Sequence, residues 1–272
     1  MRNLNAPDRP KALTIAGSDS GGGAGIQADL KTFAAFGVYG TSVITAVTAQ
    51  NTLTVDAVQE IDIDVIAKQI DAVMSDIGAH AVKTGMLSST ETIEAVSAGI
   101  RRHSITNLVV DPVMIAASGA RLLREDANAA LKTELIPLSL VVTPNIPEAE
   151  VLTGMTINDR PAVERATREI HDLGAKYVIV KGGHASGKES IDVLFDGSEF
   201  HEFSAVRIDT QNTHGTGCTF SSAIASGLAK GDDVFAAVQA AKEYVTEAIR
   251  SAYPIGQGHG PLNHFHAYDQ KP

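Results

Sequence analysis

Residues 212–219 read Asn212-Thr213-His214-Gly215-Thr216-Gly217-Cys218-Thr219 and run directly into residues 220–229, a stretch of helical character. The only cysteine of the 272-residue chain therefore sits at a helix start. Backbone N–H groups in the first helical turn lack intrahelical partners, and glycines let a charged ligand approach them closely. The segment reads as an anion hole. A thiol placed there feels the positive end of the helix dipole, which favours its thiolate and its use as a base or nucleophile. A plainer reading stands beside this one, because free cysteine is among the most buried residue types and packs as a small hydrophobe.

Other polar clusters follow short apolar runs. Gly17-Ser18-Asp19-Ser20-Gly21-Gly22-Gly23-Ala24-Gly25 leads into Ile26-Gln27-Ala28-Asp29-Leu30-Lys31. It resembles a phosphate loop but fails two familiar patterns, since Ile26 stands where a dinucleotide fingerprint needs glycine and no Gly-Lys-Ser/Thr occurs. Either it is a flexible turn before a helix, or its glycines admit a substrate while Asp29, one turn in, accepts a hydrogen bond from a hydroxyl or amine. Gln50 carries both a donor and an acceptor, which suits a heteroaromatic edge with an amine beside a ring nitrogen. Asp111 in Val109-Val110-Asp111-Pro112-Val113-Met114 and Glu148 in Thr143-Pro144-Asn145-Ile146-Pro147-Glu148 could bind Mg²⁺ directly or through water. As single residues they read equally as a turn or cap and as a helix N-terminal carboxylate. Lys181 ends the apolar run of Val178-Ile179-Val180-Lys181-Gly182-Gly183-His184, a costly place for an ammonium unless it meets an anion such as phosphate. His184 reads as a loop residue. The tail histidines His259, His264 and His266 lack cysteine partners and a scaffold, which argues against a metal site.

Elements must bring these residues together. Hydrophobic periodicity predicts strands over 11–16, 38–48, 79–84, 107–111, 139–143 and 177–181, and helices over 25–36, 65–77, 91–102, 126–135 and 161–173. Asp196-Gly197-Ser198 predicts a hairpin between 190–195 and 199–204. Alternating strands and helices of this length imply a mostly parallel sheet covered on both faces, with sites at the C-terminal strand ends. Most of the clusters above fall there. We read a polar segment over 1–10 and a single domain over 11–272.

Composition sets the surroundings. A hydrophobic content of 44% with 24 glycines suits an α/β protein with a substantial core. The longest apolar stretches are strand-sized, so membrane spans are not expected, and the N-terminus lacks the apolar core of a signal peptide. One cysteine excludes an intrachain disulfide and makes the cytoplasm the default. A formal net charge of −10 without a dense basic tract disfavours nucleic-acid binding.

Ala12-Leu13-Thr14-Ile15-Ala16-Gly17-Ser18-Asp19, Gly22 to Thr32, Lys83-Thr84-Gly85-Met86-Leu87, Thr143-Pro144-Asn145, Lys181-Gly182-Gly183-His184 and Thr213 to Thr219 together resemble the hydroxymethylpyrimidine/phosphomethylpyrimidine kinases of thiamine biosynthesis, in the ribokinase-like superfamily. The resemblance runs in order from about Lys11 into the tail. It implies a three-layer α/β/α fold, a homodimer, and two ATP-dependent phosphorylations, of the hydroxymethyl group and then of the monophosphate. Carried over by motif, Gly17, Asp29 and Gln50 would hold the aminopyrimidine with Met86 and Val113 packing near it. Asp111 and Glu148 would organise Mg²⁺, while Asn145, Lys181, Thr213 and Gly217 would face the nucleotide, and a monovalent cation could assist. Gly215, Thr216, Gly217 and Cys218 would form the anion hole beside Lys181. Most sugar kinases of the superfamily carry aspartate as base where Cys218 stands, so the thiolate is expected to take the substrate proton. Some proteins with the same loop and cysteine are pyridoxal kinases, and Gln50 favours the aminopyrimidine over that ring. A catalytically silent sensor of a vitamin precursor is the reading from a different class.

Overall fold

The computed structural model describes residues 9–115, 119, 122–182 and 187–269. Gly183, His184 and residues 1–8 of the expected N-terminal segment lie outside that set. The strands are β1 (Lys11–Asp19), β2 (Tyr39–Gln50), β3 (Val55–Glu60), β4 (Ala81–Thr84), β5 (Leu108–Val110), β6 (Val141–Val142), β7 (Tyr177–Val180), β8 (Glu189–Phe195) and β9 (Phe200–Val206). They form one sheet in the order β3-β2-β1-β4-β5-β6-β7-β8-β9. β1, β2, β4, β5, β6 and β7 pair in parallel, and β3, β8 and β9 are antiparallel additions at the two edges.

Side chains alternate across a strand, and this period divides the apolar residues into two cores. Ala12, Ala81, Val109, Val141 and Ile179 face α1 (Gly25–Ala35), α7 (Thr216–Lys230) and α8 (Val234–Arg250). Leu13, Ile15, Val82, Leu108, Val110, Val142, Val178 and Val180 face α2 (Ile63–Asp76), α3 (Thr90–Arg102), α4 (Ala127–Ala130), α5 (Ile146–Thr153) and α6 (Arg160–Asp172). The result is the expected three-layer α/β/α sandwich. The loops that leave β1, β4, β5, β6 and β7 at their C-terminal ends all emerge on one edge.

Two departures from the predicted elements have physical causes. β3 was not predicted, because on this edge strand Asp56, Ala57, Val58 and Gln59 are all exposed and no buried face imprints an alternation. The helix predicted over 126–135 is regular only through Ala130, then widens into a π turn at Leu131–Leu135 and tightens to a 3₁₀ turn at Ile136–Leu138 around Pro137. Helices α5 and α8 are also additions to the predicted set, and Val234, Ala237, Val238, Ala241 and Val245 of α8 pack onto α7. A short helix, α9 (His266–Asp269), follows the tail loop. Among the described residues, no helix is long and apolar enough to cross a membrane.

Candidate active site

The N-terminal turns of α1 and α7 meet at the C-terminal edge of the sheet. Gly215, with φ of 83°, caps α7 in the left-handed region, and a Cβ there would lie 1.9 Å from the Gly23 carbonyl oxygen. The two glycine loops therefore touch backbone to backbone. Gly25, with φ of 56°, packs as closely on Gly17, where a Cβ would come to 2.3 Å from the carbonyl oxygen. Asp19 grips the first loop by accepting from the N–H groups of Gly21 at 2.8 Å, Gly23 at 3.1 Å and Ala24 at 2.8 Å. His214 crosses from the second loop to the same carboxylate at 2.8 Å.

A cavity of about 1040 Å³ opens above these turns. Gly17, Gln50, Met86 and Val113 line it, as do Asp111, Asn145, Glu148, Lys181, Thr213, Gly215, Thr216, Gly217 and Cys218. Gly215 brings no side-chain cap to α7. The N–H of Thr216 turns back to the Thr213 carbonyl at 3.2 Å, which narrows the expected anion hole to the first-turn N–H groups of Gly217 and Cys218. A Cβ on Gly217 would lie 3.3 Å from Lys181 Nζ and 3.5 Å from Asp111 Oδ2, so glycine keeps the hole open toward the charged cluster.

That cluster has one ammonium and two carboxylates. Lys181 Nζ lies 3.0 Å from Asp111 Oδ1 and 4.0 Å from Glu148 Oε2. Burial works to lower the Lys181 pKa, but the charges of Asp111 and Glu148 outweigh it and hold the ammonium protonated. Glu148 is pushed up to about 7, first by burial and then by Asp111, against the pull of Lys181. The anion that the sequence demanded for Lys181 is thus Asp111 within the chain. Glu148 and Asn145 also form a reciprocal capping box at the start of α5, each backbone N–H donating 2.8 Å to the other's side-chain oxygen. The helix-cap reading of Glu148 therefore holds together with its place in the cavity. When Glu148 is ionised, two carboxylates around one ammonium leave negative charge in excess, a donor set that suits a hydrated divalent cation.

Residues 19–263 match the family model for phosphomethylpyrimidine kinase. The chain belongs to this kinase family. It is 56% identical over 260 residues to the hydroxymethylpyrimidine/phosphomethylpyrimidine kinase of Rhizobium meliloti, covering 94% of this chain and 97% of that one. It is 54% identical over 263 residues to the thiamine biosynthesis bifunctional protein ThiED of Geobacter sulfurreducens, covering 96% of this chain and 54% of that protein. The chain thus spans about half the length of that relative. Among solved structures, the ADP complex of Bacillus subtilis pyridoxal kinase is similar with a TM-score of 0.90 and 41% identity, covering 96% of this chain and 99% of that one.

Two expectations for this kinase site need correction. Asp29 does not line the cavity. It is fully buried, and its oxygens accept from Thr14 Oγ1 at 2.5 Å, Ser222 Oγ at 2.6 Å and Lys83 Nζ at 2.9 Å. It holds β1, β4, α1 and α7 together where a substrate contact was expected. Cys218 is not poised as a thiolate. Burial, followed by the charges of Asp29 and Asp111, pushes its thiol up to about 11 against the pull of Lys83, so it is protonated at neutral pH.

Sequence reasoning also missed kinase residues. Lys83 gives the signal that exposed Lys181, a lysine in a buried strand, yet it was quoted only within the Lys83-Thr84-Gly85-Met86-Leu87 motif and given no role. Asp192, Lys242, Val206 and Val245 line the far end of the cavity, where Lys242 Nζ meets Asp192 Oδ2 at 2.8 Å. No motif marks them, because they come from β8, β9 and α8. The tail histidines have separate places: His259 lines the cavity, His264 pairs with Thr219 Oγ1 at 2.9 Å, and His266 faces the Asn263 carbonyl at 3.2 Å.

Proposed function

We propose that this kinase transfers the γ-phosphoryl group of ATP to 4-amino-5-hydroxymethyl-2-methylpyrimidine and then to the resulting monophosphate. The observation that carries this reading is the cavity itself, in which a glutamine edge at Gln50 shares one wall system with the Lys181–Asp111–Glu148 cluster and the Gly217–Cys218 amides. Met86 and Val113 give the ring apolar contact, and Gln50 supplies paired hydrogen bonds to an aminopyrimidine edge. Phosphoryl transfer depends on alignment and charge neutralisation, which Lys181 and the α7 N–H groups provide. Asn145 and Thr213 would face the nucleotide.

Asp111 and Glu148 are the groups that would hold Mg²⁺, which when bound neutralises phosphate charge. With its thiol protonated, Cys218 contributes a neutral group beside the transfer site, and the hydroxyl proton passes to an oxygen of the transferred phosphoryl group as the new O–P bond forms and the bond to ADP breaks. We extend the proposal to a homodimer working in the cytoplasm, testable by light scattering and fractionation.

Pyridoxal is the second substrate to weigh, because the chain is so similar to the Bacillus subtilis pyridoxal kinase. Mass spectrometry of reactions containing ATP, with and without Mg²⁺, separates the two. Formation of pyrimidine monophosphate and diphosphate supports the proposal, and product from pyridoxal alone overturns it.

A further inference from the structure

His214 Nε2 lies 2.8 Å from Asp19 Oδ2 and 3.4 Å from the amide nitrogen of Gln50, on the wall of the cavity. Burial acts to raise the Asp19 pKa, but the hydrogen bonds from His214, Ala24 and Gly21 and the His214 charge bring it below its ordinary value. Asp19 is therefore an ionised acceptor, and the hydrogen of the 2.8 Å contact belongs to His214 Nε2. A ring nitrogen that carries hydrogen has no lone pair to offer an amide N–H. Facing it, the oxygen of the Gln50 amide is favoured over the nitrogen. As placed, Gln50 Oε1 lies 3.2 Å from Thr48 Oγ1, whose single hydrogen can serve that oxygen or the Ser18 carbonyl at 3.1 Å; with the amide reversed it serves Ser18. With Gln50 Nε2 toward Thr48 the amide donates to Thr48 Oγ1, and its Oε1 meets the single Nε2–H of His214, directed at Asp19, only as a longer shared contact at 3.4 Å; with Nε2 toward His214 instead, two N–H groups oppose each other.

We infer that Asp19 and His214 are positioning residues that determine substrate specificity, because the His214 Nε2–H fixes the direction of the Gln50 amide. This rests on the reading of Gln50 as the aminopyrimidine contact. One amide hydrogen and one oxygen lone pair remain for the substrate, in a fixed left-right order. A ring whose amine and ring nitrogen follow that order pairs twice, and a ring without the amine leaves the oxygen unpaired. The same His214 ring packs on Gly23, where a Cβ would come to 2.4 Å from Cδ2, so the loop geometry keeps the imidazole from turning away.

Steady-state kinetics on the full chain, with 4-amino-5-hydroxymethyl-2-methylpyrimidine and with its analogue lacking the 4-amino group, test the inference. His214→Phe is expected to raise KM for the amino substrate by about 10- to 100-fold while leaving KM for the analogue and for ATP near the unsubstituted values, so that discrimination collapses. His214→Gln, which returns an N–H at similar reach, is expected to restore much of it. Thr48→Val, isosteric, removes the other anchor together with the bond to the Ser18 carbonyl and is expected to raise the same KM by about 3- to 10-fold. Equal losses on both substrates, or undiminished discrimination in His214→Phe and Thr48→Val, overturn the inference alone. Failure of the unsubstituted chain to phosphorylate either pyrimidine overturns the functional reading and this inference with it.

Discussion

Lys83 closes on Asp29 at 2.9 Å with both side chains wholly withdrawn from solvent. Burial acts to lower the Lys83 pKa, but Asp29 more than offsets it and keeps the ammonium charged. The hydroxyls of Thr14 and Ser222 complete the set of donors to Asp29, so the pair fastens the starts of α1 and α7 to the middle of the sheet. Removing one partner strands a charge in the core. Lys83→Met is expected to cost about 3–5 kcal/mol of stability, and the combined Lys83→Met/Asp29→Leu variant clearly less than the sum of its parts. Urea denaturation of the singles and the double measures this coupling.

The thiol of Cys218 should react slowly. With its pKa raised to about 11, its thiolate is scarce at neutral pH, and alkylation should accelerate about tenfold for each pH unit until that value is approached. The rate of iodoacetamide labelling from pH 7 to 11 reads this directly. A labelling rate that levels off below pH 8 would restore the thiolate base expected from the helix dipole.

Lys181 bridges the carboxylate cluster to the α7 anion hole. Lys181→Met removes the cation from the transfer site and leaves Asp111 and Glu148 facing each other, so kcat should fall by about 10²- to 10³-fold. Binding of the pyrimidine, held at the Gln50 end, should change far less. Comparison of kcat with pyrimidine affinity from calorimetry distinguishes this from general unfolding.

Acid should destabilise the fold through His264. Burial, followed by the charges of Lys31 and His266, lowers its pKa from 6.5 to about 4. Because the folded value lies below the unfolded one, the unfolded chain takes up the proton first, and stability is lost as pH falls from about 6.5 to about 4. The loss from this group should reach about 3 kcal/mol at the acid end. His264→Gln should flatten that part of the profile, measured as urea midpoints at successive pH values.

The alternation of Leu13 and Ile15 with Ala12 and Ala16, and the glycines around Asp19 and Cys218, made the sandwich and its catalytic edge legible, since period and turn chemistry are local properties. Gln50, Lys181, Asp111 and the Gly215–Cys218 turn were legible for the same reason, each standing at the end of a predicted strand or the start of a helix. β3 was not, because an edge strand exposed along its middle has no buried side to pattern. Nor was the far wall at Asp192 and Lys242, which two distant elements build between them.

The sequence by itself therefore determined the layers, the polarity of the sheet and the residue types available at its C-terminal edge. Tertiary structure alone decided which partner each charge would find. Asp29 turned inward to Lys83, His214 to Asp19, and the Cys218 thiol stayed protonated despite its place at a helix start. The physical reason is that desolvation and charge pairing depend on distances between residues far apart in the chain, as between Asp19 and His214, which stand 195 positions apart and 2.8 Å from contact to contact.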